Sequence, residues 1–276
     1  MNNISVLILT KNEEQDLPGC LASVAWCDDI HVYDSMSTDN TIKIAEDFGA
    51  KVTQREFDTE SIHKNWGLSN IPFKHQWVYQ SDADERVTPD LAKALSEFVE
   101  NPGKYVALRV MRRDYLMGSW LKNVTPSPFN IRLFKLGSVH YERITNPVTI
   151  VAGEISDTDK YFNHYPFSKG ITQWFDKHNR YSALEAGQII LNRKSGSSFS
   201  LWRALASKDA NERRFHQKEF YYRLPLRPVL MFILLYFVKR GFLDGRAGFT
   251  FAVLRSIYEY MIVLKVDEIQ RAALGK

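Results

Sequence analysis

Acidic residues cluster in the short segment Ser81-Asp82-Ala83-Asp84-Glu85. Asp82 and Asp84 are separated by one residue and follow residues 77–79, an apolar stretch typical of a buried strand. Two carboxylates held so close together repel each other unless a cation neutralises them. Mg²⁺ and Mn²⁺ prefer oxygen ligands and also bind diphosphates. The segment therefore predicts a divalent metal site that stabilises a departing phosphate group, with an exposed acidic turn as the alternative interpretation.

Alternating strand and helix patterns place this segment at the edge of an α/β sheet. The predicted strands are residues 4–9, 30–33, 52 and 77–79, and the predicted helices are residues 13–24, 41–48, 61–68 and 89–99. This order predicts a mainly parallel, Rossmann-like sheet with helices on both faces. Polar segments at residues 10–13, 34–39 and 81–85 follow three of the strands. Because ligands bind at the carboxyl ends of parallel strands, these segments are expected to converge on one site.

The second half of the chain has a different pattern. Residues 105–111, 131–134 and 148–151 are predicted strands, residues 118–130 a loop, and residues 169–191 a helix. Ser195-Gly196-Ser197-Ser198 has the composition of a linker. We therefore predict a sheet domain over residues 1–194 and a basic, apolar helical region over residues 195–276.

Composition excludes several classes of protein. The 276 residues are 45% hydrophobic and 25% charged, which is typical of a globular chain. Cys20 and Cys27 form no CxxC pair, so a zinc site built on thiolates is excluded. The N-terminus has no basic segment followed by a long apolar one, which predicts a cytoplasmic protein. Basic residues are interleaved with apolar ones near the C-terminus, a pattern that does not favour nucleic-acid binding.

Four motifs in order resemble family 2 glycosyltransferases. They are SVLILTKNEE at residues 5–14, VYDSMSTDNT at 32–41, KNWGL at 64–68 and DADER at 82–86. The most similar subgroup contains the lipopolysaccharide inner-core β-glucosyltransferases. Two C-terminal segments, PLRP at 225–228 and GFLDGRAGF at 241–249, also resemble the sequences of that subgroup. The resemblance implies a GT-A fold and transfer of a hexose, glucose first, from a UDP-sugar. Met36 and Ser81 depart from the family pattern, which usually has glycine and leucine there.

The resemblance also implies roles for individual residues. Thr10, Asn12 and Glu13 lie in the first loop, which would contact the nucleotide. Asp34 lies in the second loop and would bind the base or the ribose. Lys64 and Asn65 lie in a predicted helix that would approach the ribose and the diphosphate. Asp82 and Asp84 match the metal-binding pair of the family. Independently, an acidic residue after a strand accepts hydrogen bonds from ribose hydroxyls in nucleotide folds, which favours Asp34 as a ligand over a helix cap.

A catalytic base is expected in the second half. Members of family 2 invert the configuration at the anomeric carbon of the sugar. Inversion in one displacement needs a base that takes the proton of the acceptor hydroxyl. Glu142, which follows the strand at residues 131–134, is the predicted base. His140 is the alternative base, and the other interpretation of Glu142 is an ion pair with Arg143 or Arg132. His164 remains open as a core or a site residue.

Two basic residues further along are candidates for diphosphate binding. Lys177 and Arg180 are three positions apart in a predicted helix and therefore lie on neighbouring parts of one face. A solvated basic surface is the equally weighted alternative.

The last quarter of the chain combines apolar and basic residues. From residue 201 onward there are 14 Lys and Arg against 7 Asp and Glu, whereas the whole chain has a net charge of only +4. Residues 229–238 are all apolar, but a helix of that length, about 15 Å, cannot cross a hydrocarbon layer of about 30 Å. We expect a peripheral position on an anionic membrane at the inner face, although core helices or a dimer interface would fit too. The acceptor would then be a lipid-anchored glycan, such as lipopolysaccharide core or a lipid-linked oligosaccharide.

Three other functions compete with this interpretation. Polyprenyl-phosphate glycosyltransferases usually carry spanning helices, and no predicted helix is long enough. Sugar-nucleotide nucleotidyltransferases normally have a glycine-rich first loop, which residues 9–13 lack. A non-catalytic binding module is disfavoured by the acidic residues Asp82, Asp84 and Glu142.

Overall fold

The computed structural model describes residues 3–125, 127–142, 148–194, 200–207 and 210–274. It divides the chain into two compact units. The first unit contains Met1–Tyr115 and Ser127–Ser168, and the second contains Leu116–Pro126 and Lys169–Lys276. The predicted linker at residues 195–198 and Arg143 lie outside the described residues, and the predicted domain boundary after residue 194 stays a prediction.

Strands and helices alternate through the first hundred residues. The strands are β1 (Ile4–Thr10), β2 (Ile30–Asp34), β3 (Lys51–Gln54), β4 (Trp77–Asp82), β5 (Glu85–Val87), β6 (Tyr105–Leu116), β7 (Ser119–Trp120), β8 (Phe129–Lys135), β9 (Val139–Glu142), β10 (Val148–Val151) and β11 (Glu154–His164). The helices of the first unit are α1 (Leu17–Ser23), α2 (Thr41–Phe48), α3 (Glu60–Asn70) and α4 (Pro89–Glu100). β7 belongs to the second unit.

The main sheet of the first unit is mixed. Its strand order is β3-β2-β1-β4-β8-β6-β11-β5. β3, β2, β1 and β4 are parallel, β8 is antiparallel to β4 and β6, and β11 is parallel to β6 but antiparallel to β5. β9 and β10 form a separate antiparallel pair. The predicted α/β fold is confirmed, and its parallel half is the part formed by the alternating first hundred residues.

β1 is the centre of the core because both of its faces are covered. Val6 and Ile8 are fully buried against one set of apolar side chains, which includes Leu17 and Leu91 from the helices. Leu7 points into the other set with Val78. A strand covered on both faces has a nearly continuous apolar sequence, which explains the apolar run at residues 6–9 of β1.

Local signals fix where two of the helices begin. Thr59 and Thr88 are the N-cap residues of α3 and α4, and their hydroxyl groups accept hydrogen bonds from the N–H groups of Ile62 and Leu91. Such caps satisfy backbone donors that have no partner within the helix. α3 and α4 therefore start close to the positions expected from the sequence.

The second unit is helical. Its helices are α5 (Gly170–Lys194), α6 (Leu201–Ala206), α7 (Ala210–Tyr221), α8 (Arg227–Ile233) and α9 (Gly245–Ala273), with a π-helical turn at Leu234–Val238 and a 3₁₀ turn at Gly241–Asp244. α9 packs against α5 and α8. The guanidinium group of Arg227 donates to the Glu259 carboxylate at 2.9 Å, and both side chains are buried. This ion pair joins the start of α8 to the middle of α9.

The prediction that no helix is long enough to cross a membrane is wrong. Residues Gly241–Ala273 form one 33-residue helical segment that is long and apolar enough to do so by length and composition, and 39% of its most apolar window is buried inside the structure. α9 continues past the charged residues Arg246, Arg255 and Lys265 without a break.

Candidate active site

The acidic turn lies at the carboxyl end of β4. Asp82 is the last residue of that strand and pairs with Leu9 of β1, while Asp84 precedes β5. Their side chains are 44% and 28% exposed. Both carboxylates are therefore accessible to a ligand from solvent.

Each of these carboxylates has a cationic neighbour. A guanidinium nitrogen of Arg132 lies 3.1 Å from Asp82, and the Nε2 atom of His164 lies 3.3 Å from Asp84. Arg132 also contacts the buried Glu85 carboxylate. Burial raises the pKa of Glu85 to about 7, although the neighbouring Arg132 opposes this shift. The turn thus gathers three carboxylates, and positive charge from the protein offsets part of their repulsion.

A second carboxylate holds the imidazole of His164. The Nδ1 atom of His164 lies 2.6 Å from Asp114, which is its partner in the pairing of β11 with β6. Burial lowers the pKa of His164, but the hydrogen bonds with Asp114 and Asp84 outweigh burial and raise the pKa to about 9. His164 is therefore an imidazolium at neutral pH and belongs to the site rather than to the apolar core.

The residues of the turn fit a divalent cation. No group of three or more His, Cys, Asp or Glu side chains with the geometry of a metal site occurs among the described residues. Mg²⁺ does not need one, since it is commonly held by one or two carboxylates together with substrate phosphates and water. Asp82 and Asp84 supply that donor set as partly exposed oxygen ligands.

The two nucleotide loops predicted from the sequence are joined by Asp34. Thr10 and Asp34 are neighbours in the β1–β2 register, and the Thr10 hydroxyl donates to the Asp34 carboxylate at 2.8 Å. The Asp34 carboxylate also accepts from the N–H of Ser37 at 2.7 Å and from the Gln54 amide at 3.2 Å. Asp34 is fully buried. Its present contacts are thus to the loops themselves, and its role toward a nucleotide stays a prediction.

The loop after β1 is fastened to the loop after β2 by several polar contacts. Asn12 accepts from the N–H of Thr38 at 2.8 Å and adopts a left-handed backbone conformation with φ 54°. The N–H of Glu13 donates to the Thr41 hydroxyl at 2.7 Å. Asn12 and Glu13 therefore lie beside Asp34, as the sequence predicts, within an ordered pair of loops.

Lys64 and Asn65 lie on α3 and face β9. Lys64 forms an ion pair with Glu60 at 2.6 Å, and its Nζ atom lies 5.1 Å from the centre of the Tyr141 ring. The Asn65 amide is hydrogen bonded to the backbone of Tyr141. The structure thus connects the α3 segment to the strand that carries Glu142.

Glu142 lies at the end of β9 with an exposed side chain. Its carboxylate is 3.1 Å from the Nε2 atom of His140, so the predicted base and its alternative are direct neighbours. Arg132 is paired with Asp82 and Glu85 rather than with Glu142. The role of Glu142 as a base stays a prediction.

Lys177 and Arg180 lie on α5 of the second unit and are both exposed. The Nζ atom of Lys177 is 5.9 Å from the centre of the Tyr181 ring. Their predicted role in binding a diphosphate remains a prediction.

Arg132 and Asp114 are site residues that the sequence did not identify as such. Arg132 reaches the turn because β8 lies antiparallel to β4, and Asp114 because β6 pairs with β11. These pairings join strands distant in sequence, and no local motif marks them.

Comparison with known proteins finds relatives that are described as glycosyltransferases. The chain is 25% identical to the lipopolysaccharide core biosynthesis glycosyltransferase LpsC of Rhizobium meliloti, over 98% of this chain and 93% of that protein. It is 26% identical to an uncharacterized glycosyltransferase of Rickettsia felis, over 97% and 90% of the two chains.

Solved structures with similar folds have lower identity. The structure of S. aureus TarS 1–349 in complex with UDP-GlcNAc is 16% identical, covers 93% of this chain and 91% of that chain, and has a TM-score of 0.44. Glucosyl-3-phosphoglycerate synthase from Mycobacterium tuberculosis, in complex with Mn²⁺, UDP-glucose and phosphoglyceric acid, is 22% identical over 40% and 43% of the chains, with a TM-score of 0.36.

The family model supplies the decisive match. The model described as glycosyl transferase family 2 matches residues 5–182, which include the acidic turn, both nucleotide loops and β9. The resemblance inferred from the motifs is confirmed, and the chain belongs to glycosyl transferase family 2.

Proposed function

We propose that the chain is a metal-dependent, inverting glycosyltransferase that moves a hexose from a UDP-sugar to a membrane-anchored glycan. The observation that carries this proposal is the pair Asp82 and Asp84, which are partly exposed at the carboxyl end of β4 beside the loops of Thr10 and Asp34. Glucose is the first candidate for the hexose. The similarity to LpsC supports lipopolysaccharide core, or a related lipid-linked oligosaccharide, as the acceptor.

Asp82 and Asp84 would hold Mg²⁺ or Mn²⁺ in this reaction. When bound, the ion supplies Lewis-acid stabilisation of the leaving nucleotide diphosphate. Asp34, Thr10 and the loop residues Asn12 and Glu13 would orient the nucleoside. Their hydrogen bonds to one another pre-form the loops, which reduces the entropy lost on binding.

Glu142 would take the proton from the acceptor hydroxyl. Its carboxylate is exposed to an incoming acceptor and is hydrogen bonded to His140 at 3.1 Å. That contact orients the carboxylate, which is the usual role of a third group beside a base. His140 would therefore support Glu142 rather than replace it.

Glu142→Gln tests this assignment. The amide cannot accept a proton, so we expect turnover to fall by at least about 100-fold while UDP-sugar binding stays within about twofold. Glu97→Gln is the matched control, because Glu97 is an exposed acid on α4 paired only weakly with Lys93 at 3.7 Å. Near-normal turnover in Glu142→Gln rules out the assignment. If His140→Gln loses turnover while Glu142→Gln keeps it, His140 is the base.

Lys177 and Arg180 would contribute positive charge to diphosphate binding. We therefore expect the double substitution Lys177→Ala and Arg180→Ala to raise KM for the UDP-sugar and to leave the dependence of the rate on Mn²⁺ unchanged. An unchanged KM shows that these residues are part of a solvated surface.

A membrane-facing role is supported by an exposed apolar edge in the second unit. We define this edge as Val229, Phe237, Val238, Phe242 and Leu243, whose side chains are between 47% and 67% exposed. The basic residues Lys239, Arg240 and Arg246 interrupt and follow it. Apolar side chains beside basic ones match the chemistry of an anionic lipid surface. We propose a peripheral position on the inner face of the cytoplasmic membrane.

Vesicle binding tests the apolar edge. The full chain should co-sediment with vesicles containing phosphatidylglycerol at low salt, and not with vesicles of phosphatidylcholine alone. The double substitution Phe237→Ser and Leu243→Ser should abolish binding, whereas Phe48→Ser, a 42% exposed control in the first unit, should not. Absence of binding by the unsubstituted chain refutes the proposal, and a dimer that the double substitution dissociates identifies the edge as a subunit interface.

Transfer to polyprenyl phosphate is the second candidate function. The observation that favours it is the helical segment Gly241–Ala273, which is long and apolar enough to cross a membrane. Incubation with a UDP-sugar and a polyprenyl phosphate distinguishes the candidates. A polyprenyl-phosphate sugar product supports the second, and transfer only to a glycan acceptor supports the first.

A further inference from the structure

Asn65 fastens β9 to α3 by a two-point contact. Its Nδ2 atom donates to the carbonyl oxygen of Tyr141 at 2.9 Å, and its Oδ1 atom accepts from the N–H of Tyr141 at 2.8 Å. The amide thus uses a donor and an acceptor side by side, as the neighbouring strand of a sheet does. Within the described residues, the strand that pairs with β9 is β10, so Asn65 supplies backbone partners that a second strand would otherwise provide.

The Tyr141 side chain is held as firmly as its backbone. It is 6% exposed, and its hydroxyl donates to the Gln80 amide oxygen at 2.9 Å. Burial raises the pKa of Tyr141, so the phenol keeps the proton that this hydrogen bond needs. Gln80 precedes Asp82 by two residues in β4. Tyr141 therefore connects α3, the metal-binding strand and β9.

Glu142 follows Tyr141 directly in the chain. Its own side chain is 61% exposed, and among the described residues its hydrogen-bond partner is His140, which is also exposed and lies on the same strand. Contacts within β9, and its pairing with β10, do not set the position of Glu142 relative to β4, because the β9–β10 pair is separate from the main sheet. The anchor at Tyr141 is the nearest described contact that joins this strand to β4 and α3.

We propose that Asn65 is a positioning residue for the base Glu142, acting through Tyr141, and not a ligand of the nucleotide. This inference rests on the proposed function, in which Glu142 accepts the proton of the acceptor. It revises the role that the resemblance implies for Asn65, because both ends of the Asn65 amide are already engaged by the protein. Lys64 is separate from this contact, since its amino group is paired with Glu60.

Asn65→Asp is the sharpest substitution, because aspartate keeps the size and the acceptor of asparagine but loses its N–H donor. The Tyr141 carbonyl would then face a carboxylate oxygen. A displacement of about 1 Å at a reacting group costs about 100-fold in rate, so we expect kcat to fall by about that factor. Binding of UDP with Mn²⁺ should stay within about threefold, because the proposed base is not part of the donor site.

Asn70→Asp is the matched control. Asn70 lies on the same helix, and in the part of the chain that the structure describes its side-chain amide donates to the carbonyl of Trp66 at 2.8 Å, so the same change of charge occurs without a described contact to β9. Asn65→Ser provides a neutral variant in case the aspartate variant does not fold. In a Glu142→Gln background, Asn65→Asp should cause little further loss, because residues acting as a unit are not additive.

Two results overturn the inference. The first is a loss of UDP affinity in Asn65→Asp that accounts for the loss of kcat/KM, since this would make Asn65 a nucleotide ligand. The second is unchanged kcat in both Asn65 variants. Amide hydrogen exchange provides a readout independent of catalysis: Asn65→Ser should accelerate exchange at Tyr141 at least about tenfold and leave Tyr79 of β4 unchanged. If Glu142→Gln keeps its activity, the base assignment fails, but the exchange rates still show whether Asn65 anchors β9.

Discussion

Gly19 of α1 lies directly against the side chain of Arg86, and its replacement by alanine should disturb the acidic turn from the helix side. An added Cβ atom would be 2.4 Å from the Nε atom and 2.8 Å from the Cζ atom of Arg86, well inside contact distance. In its present position, Arg86 donates to the carbonyl oxygens of Ala83 and Glu85 at 2.8 and 2.9 Å. These bonds hold the backbone on both sides of Asp84.

The size of the effect follows from what Arg86 loses. A hydrogen bond from a charged group contributes about 1.5–3 kcal/mol, and water replaces part of each bond because the Arg86 side chain is 21% exposed. Replacing a glycine by alanine within a helix raises the free energy of unfolding by about 0.5–1 kcal/mol. We expect Gly19→Ala to lower the free energy of unfolding by about 2 kcal/mol, although alanine is the better helix former.

Urea unfolding at pH 7 measures this change, and the stabilisation by Mn²⁺ with UDP reports on the turn. Gly187→Ala on α5 is the control, because no heavy atom lies within 4 Å of the added Cβ atom there. That variant should be more stable by about 0.5–1 kcal/mol. Gly19→Ala should instead be less stable and should gain less stability from Mn²⁺ and UDP.

A double-mutant cycle identifies Arg86 as the cause. In an Arg86→Met background, the flexible side chain can move away without losing hydrogen bonds, so Gly19→Ala should become neutral or stabilising. Two findings would refute the reasoning: a Gly19→Ala protein as stable as the Gly187→Ala protein, or an equal cost of Gly19→Ala in both backgrounds.

Two further predictions concern buried charges. Glu259→Gln leaves the charge of Arg227, whose side chain is 4% exposed, without its anionic partner. The free energy of unfolding in urea at pH 7 should fall by about 3–5 kcal/mol. Replacing both residues by methionine should recover most of this loss, and an unchanged free energy of unfolding in Glu259→Gln contradicts the prediction. Burial alone would raise the pKa of Asp29, but hydrogen bonds from Lys51, Ser5 and the N–H of Lys74 outweigh burial and hold the pKa well below its usual range. Because the folded pKa is depressed, Asp29 contributes stability above its unfolded pKa of about 3.9, and that contribution is lost as the pH falls toward the folded pKa. Asp29→Asn should therefore be less stable at pH 7 and lose less stability between pH 5 and pH 2; parallel acid-unfolding curves for the two proteins would refute this.

The parallel half of the fold could be predicted because each of its elements has its own signal in the sequence. β1 contains an apolar run at residues 6–9 since both faces are buried, and α3 and α4 begin at threonine caps. Once the order of strands is known, the parallel register brings Thr10 next to Asp34 and Leu9 next to Asp82. The convergence of the predicted loops follows from this geometry.

The cationic side of the site could not be predicted in the same way. Arg132 lies 50 residues from Asp82 in sequence, and His164 lies 50 residues from Asp114. Their contacts depend on where β8 and β11 join the sheet, which local patterns do not encode. The contact of Asn65 with Tyr141, 76 residues away, has the same origin. The length of α9 was missed for a different reason, since charged residues within an apolar helix resemble helix ends when read locally.

Metal-dependent binding of UDP, the product common to all candidate UDP-sugar donors, tests the central claim most directly. Isothermal titration of UDP into the protein should be compared with Mn²⁺ and with a chelator, for the unsubstituted chain, Asp84→Asn and the control Glu97→Gln. We predict binding that requires Mn²⁺, a loss of affinity of about 10- to 100-fold in Asp84→Asn, and no change in Glu97→Gln. Equal affinity with Mn²⁺ and with the chelator, together with full affinity in Asp84→Asn, would contradict the assignment of the acidic turn as a metal and nucleotide site.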